Sequence, residues 1–585
     1  MAKRARFLRL VLVLALLAVF VRLVDVQVLE SAHYQSEASR QLAVPVNVPA
    51  VRGGLFARDG QVLAMSVPTV DVYADDFLIT RPVAEAAALA PLLKVPAAKL
   101  AGELHQRSGY VPLAKQMSSQ VGKKISAAAF PGITVVADSK RVVPNGNLAA
   151  PVLGIVNAAG NGAAGLEYQF NKSLAGKSGS ETLLESPAGI ALPQNPVRQT
   201  SAQPGTGLEL TLDEALQYET EQALGAEILS SHAASGSAVV MDVKTGDILS
   251  MANLVASKSS GGQAPSTSPI PIGAGSGVDQ APSNLALTQI FEPGSVFKLV
   301  TFSAALQAGV INPGSTFSVP DQITLDGSIF HDAETHPTEQ LTASEILAQS
   351  SNLGTYQITQ ALGESRLLAQ VKKLGFGSPT ALHFPGSSAG ILATAAQWEP
   401  TDMVSLPIGQ VDAVNAQQVL DAYNAVANGG IFVEPRLVRG TVSPDGTATA
   451  ARPSPSRRVI SSATDAELTT MLQGVVDGGT GTSAVVPGYT VAGKTGTAQI
   501  PTPGKDSYVP GAFMATFVGF APANHPVFSA IVVLNHPTPI YGGTVAAPVF
   551  SQIMSYALHR YDIPSSPGAP SSSHRTGTSQ VQDIT

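Results

Sequence analysis

The 585-residue chain reads as a mixed α/β (α+β) protein: one N-terminal apolar helix, an elongated mixed α+β domain after it, and a larger α/β domain that fills the rest. Three patterns point there. A cluster of basic residues precedes an unbroken apolar run. Short β-like runs then interleave with Ala/Leu-rich helical runs to about residue 205. Beyond that the alternation lengthens into a strand, a long helix and a hairpin, and it closes on three successive strands and an amphipathic helix.

Composition narrows the function. Hydrophobic residues at 44% and charged residues at 13% describe a globular protein, long enough for two or more domains. A net charge of −7 offers no basic footprint for nucleic acid. The chain has no cysteine, which removes disulfides, thiol nucleophiles, thiolate metal sites and a lipid-modified cysteine. Its ten histidines include no H-E-x-x-H pair, so no metal site is legible.

The N-terminus carries Lys3, Arg4, Arg6 and Arg9, followed by the apolar run Leu10 to Val21. That run is short against the roughly 20 residues of a membrane span. Arg9 and Arg22 can snorkel and lengthen it. The rival reading is a cleaved signal peptide. No small-x-small site follows soon after the run, because Glu30 spoils a cut after Ala32. An uncleaved signal anchor over residues 7–29 is favoured, with residues 1–6 cytoplasmic and the remainder extracytoplasmic. This places the protein in the plasma membrane as a single-pass protein.

Residues 30–205 form the first domain. VNVPAVRGG, LAMSVPTVDVYAD and GITVVAD read as strands, AEAAALAPLL and KLAGELHQ as helices. Residues 206–562 form the second. LELTLDEALQYETEQALGAEIL is a strand running into a long helix. SAVVMDVKTGDILSMANL is a hairpin. Residues 255–283, rich in Ser, Gly, Pro and Ala, read as a flexible insertion. Helical patterns dominate 284–430. Strands return at GYTVAGKTGTAQ, AFMATFVGFAPA and FSAIVVLN before the terminal helix VFSQIMSYALHRYDI. Residues 563–585 read as a disordered tail.

Chemistry is concentrated in three short motifs. In EPGSVFKL (292–299), Ser295 and Lys298 stand one helical turn apart and share a face. The Pro-Gly pair before them suits a helix start, with Ser295 at or near the N-cap or first turn. A serine needs a base to become a nucleophile, and a lysine serves once its pKa is lowered. A bare S-x-x-K is usually an ordinary helix start, but this one is unique in the chain and two motifs follow. Ser350-Ser351-Asn352 is the only S-x-N. Ser350 can relay a proton, and Asn352 can bond a substrate amide and the lysine. Lys494-Thr495-Gly496-Thr497 follows a strand-like run. Lys494 adds a cation, Thr495 and Thr497 offer hydroxyls to a carboxylate, and Gly496 leaves room for substrate along the strand. The backbone N–H groups of Ser295 and Thr497 are oxyanion-hole candidates. Lys244-Thr245-Gly246 repeats the triplet inside the hairpin, where it reads as a turn.

In this order, S-x-x-K, S-x-N and K-T-G resemble the active site of penicillin-binding proteins and class A β-lactamases. RGGLFARDGQVLA (52–64), LEYQFNKSLAGKSG (166–179), LTLDEALQ (210–217) and YGGTVAAPVF (541–550) resemble further signatures of class B penicillin-binding proteins, most like the septal, division-type subgroup. The resemblance covers roughly residues 22–562. It implies a penicillin-binding, serine β-lactamase-like transpeptidase domain at 206–562 on a dimerisation or pedestal domain at 30–205. It also implies a serine-type D,D-transpeptidase acting on D-Ala-D-Ala stem peptides with an amine acceptor. β-Lactams would be covalent inhibitors, and Ser295, Lys298, Ser350, Asn352 and Lys494 catalytic. Thr495, Gly496 and Thr497 would bind substrate. A multi-pass membrane glycosyltransferase and divisome proteins are the implied partners, and neither metal nor organic cofactor is implied. Alternatives are a D,D-carboxypeptidase or β-lactamase-type hydrolase, and a non-catalytic division scaffold. Three positions depart from the family pattern: Ala57 replaces an Asp of the pedestal motif, and Val411 and Asn415 replace Gly and Thr in GQVDAVNAQQ (409–418).

Overall fold

The computed structural model describes residues 2–31, 33–34, 43–184, 198–257, 272–273, 276–393, 398, 401–505 and 507–567. Packing divides the chain into two units: residues 1–53, 65–142 and 175–206, and residues 54–64, 143–174 and 207–585.

In the first unit, the N-terminal helix Ala2–Val24 continues into a π-helical turn, Asp25–Leu29. The stretch Lys3–Leu29 is the single helix among the described residues long and apolar enough to cross a membrane, and none of it is buried. Arg22 does not interrupt it. Its 27 residues extend about 40 Å at 1.5 Å per residue, more than the ~30 Å of a bilayer core. Further on, the strand Val62–Ala74 is flanked from Met65 by the antiparallel strands Val111–Ser118 and Ile133–Val142. Pro82–Leu93, Ala97–Glu103 and Ser119–Ala128 form its helices, and Val72, Leu89, Leu100 and Ile125 lie in its core. Ala43–Val48, Gly179–Leu184 and Arg198–Thr200 make a separate three-stranded sheet.

The second unit is built on a six-stranded antiparallel sheet. Helix α1 (Glu214–Ser230) precedes strands β1 (Ser235–Asp242), β2 (Ile248–Ala256) and β3 (Val278–Gln280). Helices α2 (Lys298–Gln307), α3 (Ala343–Gln349), α4 (Asn352–Leu362), α5 (Ala416–Ala427) and α6 (Ser462–Asp477) intervene. Strands β4 (Ala492–Pro501), β5 (Tyr508–Ala521) and β6 (Phe528–Asn535) and helix α7 (Gly542–Arg560) follow. The order is β3-β2-β1-β6-β5-β4, which leaves β4 at an edge.

The apolar runs of β1, β5 and β6 are buried on both faces, and strand alternation sorts their residues between two cores. Val239, Met241, Val518 and Ile531 join Phe302 and Leu420 on one side. Ala238, Val240, Phe517 and Val532 join Leu224 of α1 and Phe550 of α7 on the other.

The structure adds detail to several stretches read from the sequence. The packing units are not contiguous in sequence. Leu55–Phe56 pairs in parallel with Gly207–Leu210, and Leu55, Leu63, Val152, Leu153, Leu166 and Leu174 share a core with β1 and α2. Ala57, expected in the pedestal, is fully buried in that same core. Hydrophobic patterning identifies apolar residues but does not say which core they join. The expected insertion at 255–283 contains an edge strand, since Val278–Gln280 pairs with Leu254–Ala256; residues 258–271, 274 and 275 lie outside the described residues. The helical stretch 284–430 also holds two hairpins, Thr316–Val319 with Glu339–Thr342 and Gln322–Leu325 with Ser328–His331. They are short and mostly exposed, so they carry little apolar alternation. The expected tail begins later than residue 563. Ile563 accepts a hydrogen bond from Tyr489 Oη (2.6 Å), and Ser566, 8% exposed, donates from its N–H to Gly488 O (2.9 Å). Residues 568–585 lie outside the described residues.

Candidate active site

The segment before Ser295 is held from one side. Phe291 and Val414 exchange backbone hydrogen bonds of 2.9 Å, and Gly294 N–H donates to Gly409 O at 2.9 Å. Gly409 has φ +84°, and a Cβ there would lie 2.2 Å from Gly294 O. Only glycine permits both that conformation and that approach. Ser295 then falls inside a 3-10 turn, Gly294–Phe297, rather than in the first turn of an α-helix, and α2 begins at Lys298. In a 3-10 turn residues i and i+3 eclipse, so Lys298, three residues after Ser295, follows it on the same face.

Lys298 is fully buried. Its Nζ donates to Ser350 Oγ (3.2 Å), Asn352 Oδ1 (2.9 Å) and the Ser350 carbonyl. The amine is thus directed at the S-x-N motif. Among the described residues the partly exposed Ser295 hydroxyl takes no side-chain partner. Burial pulls the Lys298 pKa down to about 7, against the opposing charge of Asp332. Lys494 is also fully buried. Burial, and then the charge of Lys298, hold it well below the ordinary lysine range.

The S-x-N motif is shaped by its own backbone. Ser350 ends α3 in the left-handed region (φ +65°), and Ser351 caps α4 by accepting Gly354 N–H at 2.9 Å. This sharp joint turns the Ser350 carbonyl and hydroxyl and the Asn352 amide toward one amine. Asp332, which the sequence reading missed, secures it. Its carboxylate accepts Ser351 Oγ–H (2.7 Å), Leu353 N–H (3.0 Å) and Asn352 N–H, and lies 3.2 Å from His336 Nε2. A carboxylate at the start of a helix is favoured by the exposed N–H groups and the dipole. Asp332 follows one of the hairpins hidden in the stretch read as helical, so no spacing rule pointed to it.

Lys494 to Thr497 lie on β4, paired with Val518 to Ala515 of β5. Lys494 Nζ reaches Thr495 O and Oγ1 at 3.3 Å, and Thr495 Oγ1 meets Thr480 Oγ1 at 2.7 Å. Thr497 Oγ1 accepts Gly542 N–H at 3.2 Å. A Cβ on Gly496 would sit 3.0 Å from Val296 Cγ1 and 3.1 Å from Pro293 O. The room at Gly496 is therefore taken up by the Ser295 segment itself, which lies against β4. The upstream triplet is a turn: Asp242 accepts Lys244 and Thr245 N–H, and Lys244 Nζ donates to Asn428 Oδ1 at 3.0 Å.

The two departures in 409–418 differ in character. Asn415 caps α5 in a reciprocal box with Gln418, as a threonine could. Val411 takes φ +78°, a conformation costly for a β-branched residue. Its N–H donates to Glu292 Oε1 at 3.3 Å.

A fold with a buried lysine pair, an S-x-N joint and a K-T-G edge strand defines a class. Residues 236–555 match the penicillin binding protein transpeptidase domain, and residues 47–210 match the penicillin-binding protein dimerisation domain. The chain belongs to the penicillin-binding protein transpeptidase family. It is 32% identical to penicillin-binding protein PbpB of Mycolicibacterium smegmatis, over 95% of this chain and 90% of that protein. It is 33% identical to the probable peptidoglycan D,D-transpeptidase PbpC of Pseudomonas aeruginosa, over 94% of each. It is 30% identical to the peptidoglycan D,D-transpeptidase FtsI of Escherichia coli, over 88% of this chain and 84% of that one. Among solved structures it resembles penicillin binding protein 3 of Mycobacterium tuberculosis complexed with aztreonam, with TM-score 0.68 and 30% identity, covering 89% of this chain and 98% of that chain.

Proposed function

We propose that this protein is a membrane-anchored peptidoglycan D,D-transpeptidase of septal wall synthesis, working through an acyl-enzyme on Ser295. The observation that carries the reading is the environment of Lys298: fully buried, with its pKa near 7, on the same face as Ser295 and beside the S-x-N joint. A neutral Lys298 accepts the Ser295 hydroxyl proton as Oγ attacks the carbonyl of the penultimate D-Ala. Oxygen charge develops between the N–H groups of Ser295 and Thr497. The C–N bond breaks, and D-Ala leaves with a proton passed from Lys298 through Ser350. An amine of a neighbouring stem peptide then attacks the ester, restores the Ser295 hydroxyl and completes the cross-link. The Thr495 and Thr497 hydroxyls receive the donor carboxylate, with Lys494 supplying positive potential and Asn352 holding a substrate amide.

β-Lactams enter the same step and stall at the ester. The names of PbpC and FtsI, and the aztreonam and ampicillin complexes of the Mycobacterium tuberculosis protein, support this reading. Residues 1–6 would lie in the cytoplasm and the catalytic unit outside. A multi-pass glycosyltransferase and divisome proteins would be the partners. The test is labelling with a fluorescent penicillin, using protein lacking residues 1–30, wild type beside Ser295→Ala. A covalent band lost in the variant is expected. An unlabelled, well-folded wild type would overturn the reading. Supplying an amine acceptor to the acylated protein separates transfer from hydrolysis.

A further inference from the structure

Glu292 stands three residues before Ser295 and is 8% exposed. Its carboxylate takes two bonds from different parts of the second unit. Tyr508 Oη donates to it, at 3.1 Å from Oε2 and 3.4 Å from Oε1, and Val411 N–H donates to Oε1 at 3.3 Å. Burial holds the carboxyl above its usual range, despite both bonds. A buried acceptor is thus held beside the nucleophile by two donors, and removing it would leave both without their partner.

Tyr508 is the first residue of β5, opposite Pro501 at the end of β4. The β4–β5 ladder is regular from Ala492 to Gln499 and then slips: Gln499 pairs with Phe513, but Pro501 pairs with Tyr508. Beyond the slip Thr502 N–H donates to Ser507 O at 2.8 Å, so the outer end closes in a register of its own, while Gly496, midway along β4, rests on the Ser295 segment. Glu292 joins this re-registered end to that same segment. Its second donor, Val411, belongs to the loop that holds Gly294 through Gly409, and it offers its N–H from a left-handed conformation.

We propose that Glu292 is a positioning residue: through Tyr508 and Val411 it fixes the outer β4–β5 hairpin and the 409–411 loop to the Ser295 segment, and so sets the width of the groove between Ser295 and the Thr497 edge. The proposal rests on the acyl-enzyme reading above. Wild-type labelling tests that reading separately, before any brace variant is made.

The experiment measures acylation by a fluorescent penicillin, resolved into the acylation rate constant and the apparent dissociation constant, with melting curves as a check on folding. Tyr508→Phe removes one hydroxyl from a partly exposed ring. It is expected to lower the acylation rate constant roughly 10-fold, with a smaller change in dissociation constant, because misplacement costs the reaction more than it costs binding. Glu292→Ala is expected to do at least as much. Glu292→Gln should recover most of the loss, because one carbonyl at the Oε1 position can accept both donors. Adding Tyr508→Phe to Glu292→Ala should cost nothing further, since both act through one contact. Losses that multiply in the double variant would overturn the proposal. So would wild-type acylation by Tyr508→Phe, or a Glu292→Gln variant as slow as Glu292→Ala. If Glu292→Ala fails to fold, Tyr508→Phe and Glu292→Gln decide the matter between them.

Discussion

At Lys298 burial lowers the pKa of the amine that the proposed mechanism uses as its base. With its pKa near 7 instead of 10.5, it is largely neutral just above neutrality and charged below. The second-order rate of β-lactam acylation should therefore rise with pH and level off above about 7, read from labelling rates between pH 5.5 and 9. Lys298→Arg, which cannot release its proton, should lose at least ~100-fold in that rate while still folding. The same shift affects stability. Between about pH 7 and 10.5 the unfolded chain holds the Lys298 proton and the folded chain does not, so this group makes stability increase with pH across that window. Val411 offers a different test. A left-handed β-branched residue costs ~1–2 kcal/mol, and the flexibility of an unfolded glycine returns part of the gain from relief. Val411→Gly should raise stability by about 1 kcal/mol, measured by thermal or urea unfolding. The residues of the three motifs could be read from their order alone. Asp332 and Glu292 could not, because each acts through contacts that only folding creates.

Helix α5 shows how local signals and packing divide the work. Its start is written in Asn415 and Gln418, a reciprocal cap. Asn415→Ala should cost about 1 kcal/mol, seen as a lower urea midpoint, whereas Asn415→Thr should stay close to wild type. All of its residues from Ala416 to Ala427 are buried, Asp421 among them. Asp421 accepts one bond from Gln417 Nε2 at 2.8 Å, and burial pushes its carboxyl up to about 8. The folded chain keeps this proton well above the pH at which the unfolded chain loses it. Stability from this group is complete at low pH and declines as pH rises from about 4 to about 8. Asp421→Asn should accordingly melt a few degrees above wild type at pH 8, with little difference at pH 4.5. The strands β4, β5 and β6 were legible from their apolar runs. The two hairpins at 316–342 were not, because exposed four-residue strands leave almost no pattern.

The two packing units are woven from alternating pieces of chain. Because Leu55, Leu63, Val152, Leu153, Leu166 and Leu174 are built into the core that also holds Val239 and Phe302, a fragment beginning at residue 206 lacks part of its own interior. Burying such side chains contributes ~1.5–3 kcal/mol each, so the missing six amount to about 9–18 kcal/mol, comparable to the whole ~5–15 kcal/mol margin of a typical domain. The fragment 206–567 should therefore fail to show a cooperative melt, whereas protein lacking only residues 1–30 should melt cooperatively. A cooperative transition in the fragment would show that those segments are dispensable.

The order of residues along the chain was enough to establish the apolar N-terminal helix, the three strands after residue 487 and the three motifs with their sequence. These depend on neighbours within a few positions, where spacing and side-chain chemistry act directly. Which face of each strand joins which core, which segments between 54 and 174 complete the larger unit, and how Lys298 comes to face Ser350 and Asn352 were decided only in three dimensions. Each is settled by contacts between residues dozens to hundreds of positions apart, and burial, not sequence spacing, lowers the pKa of Lys298.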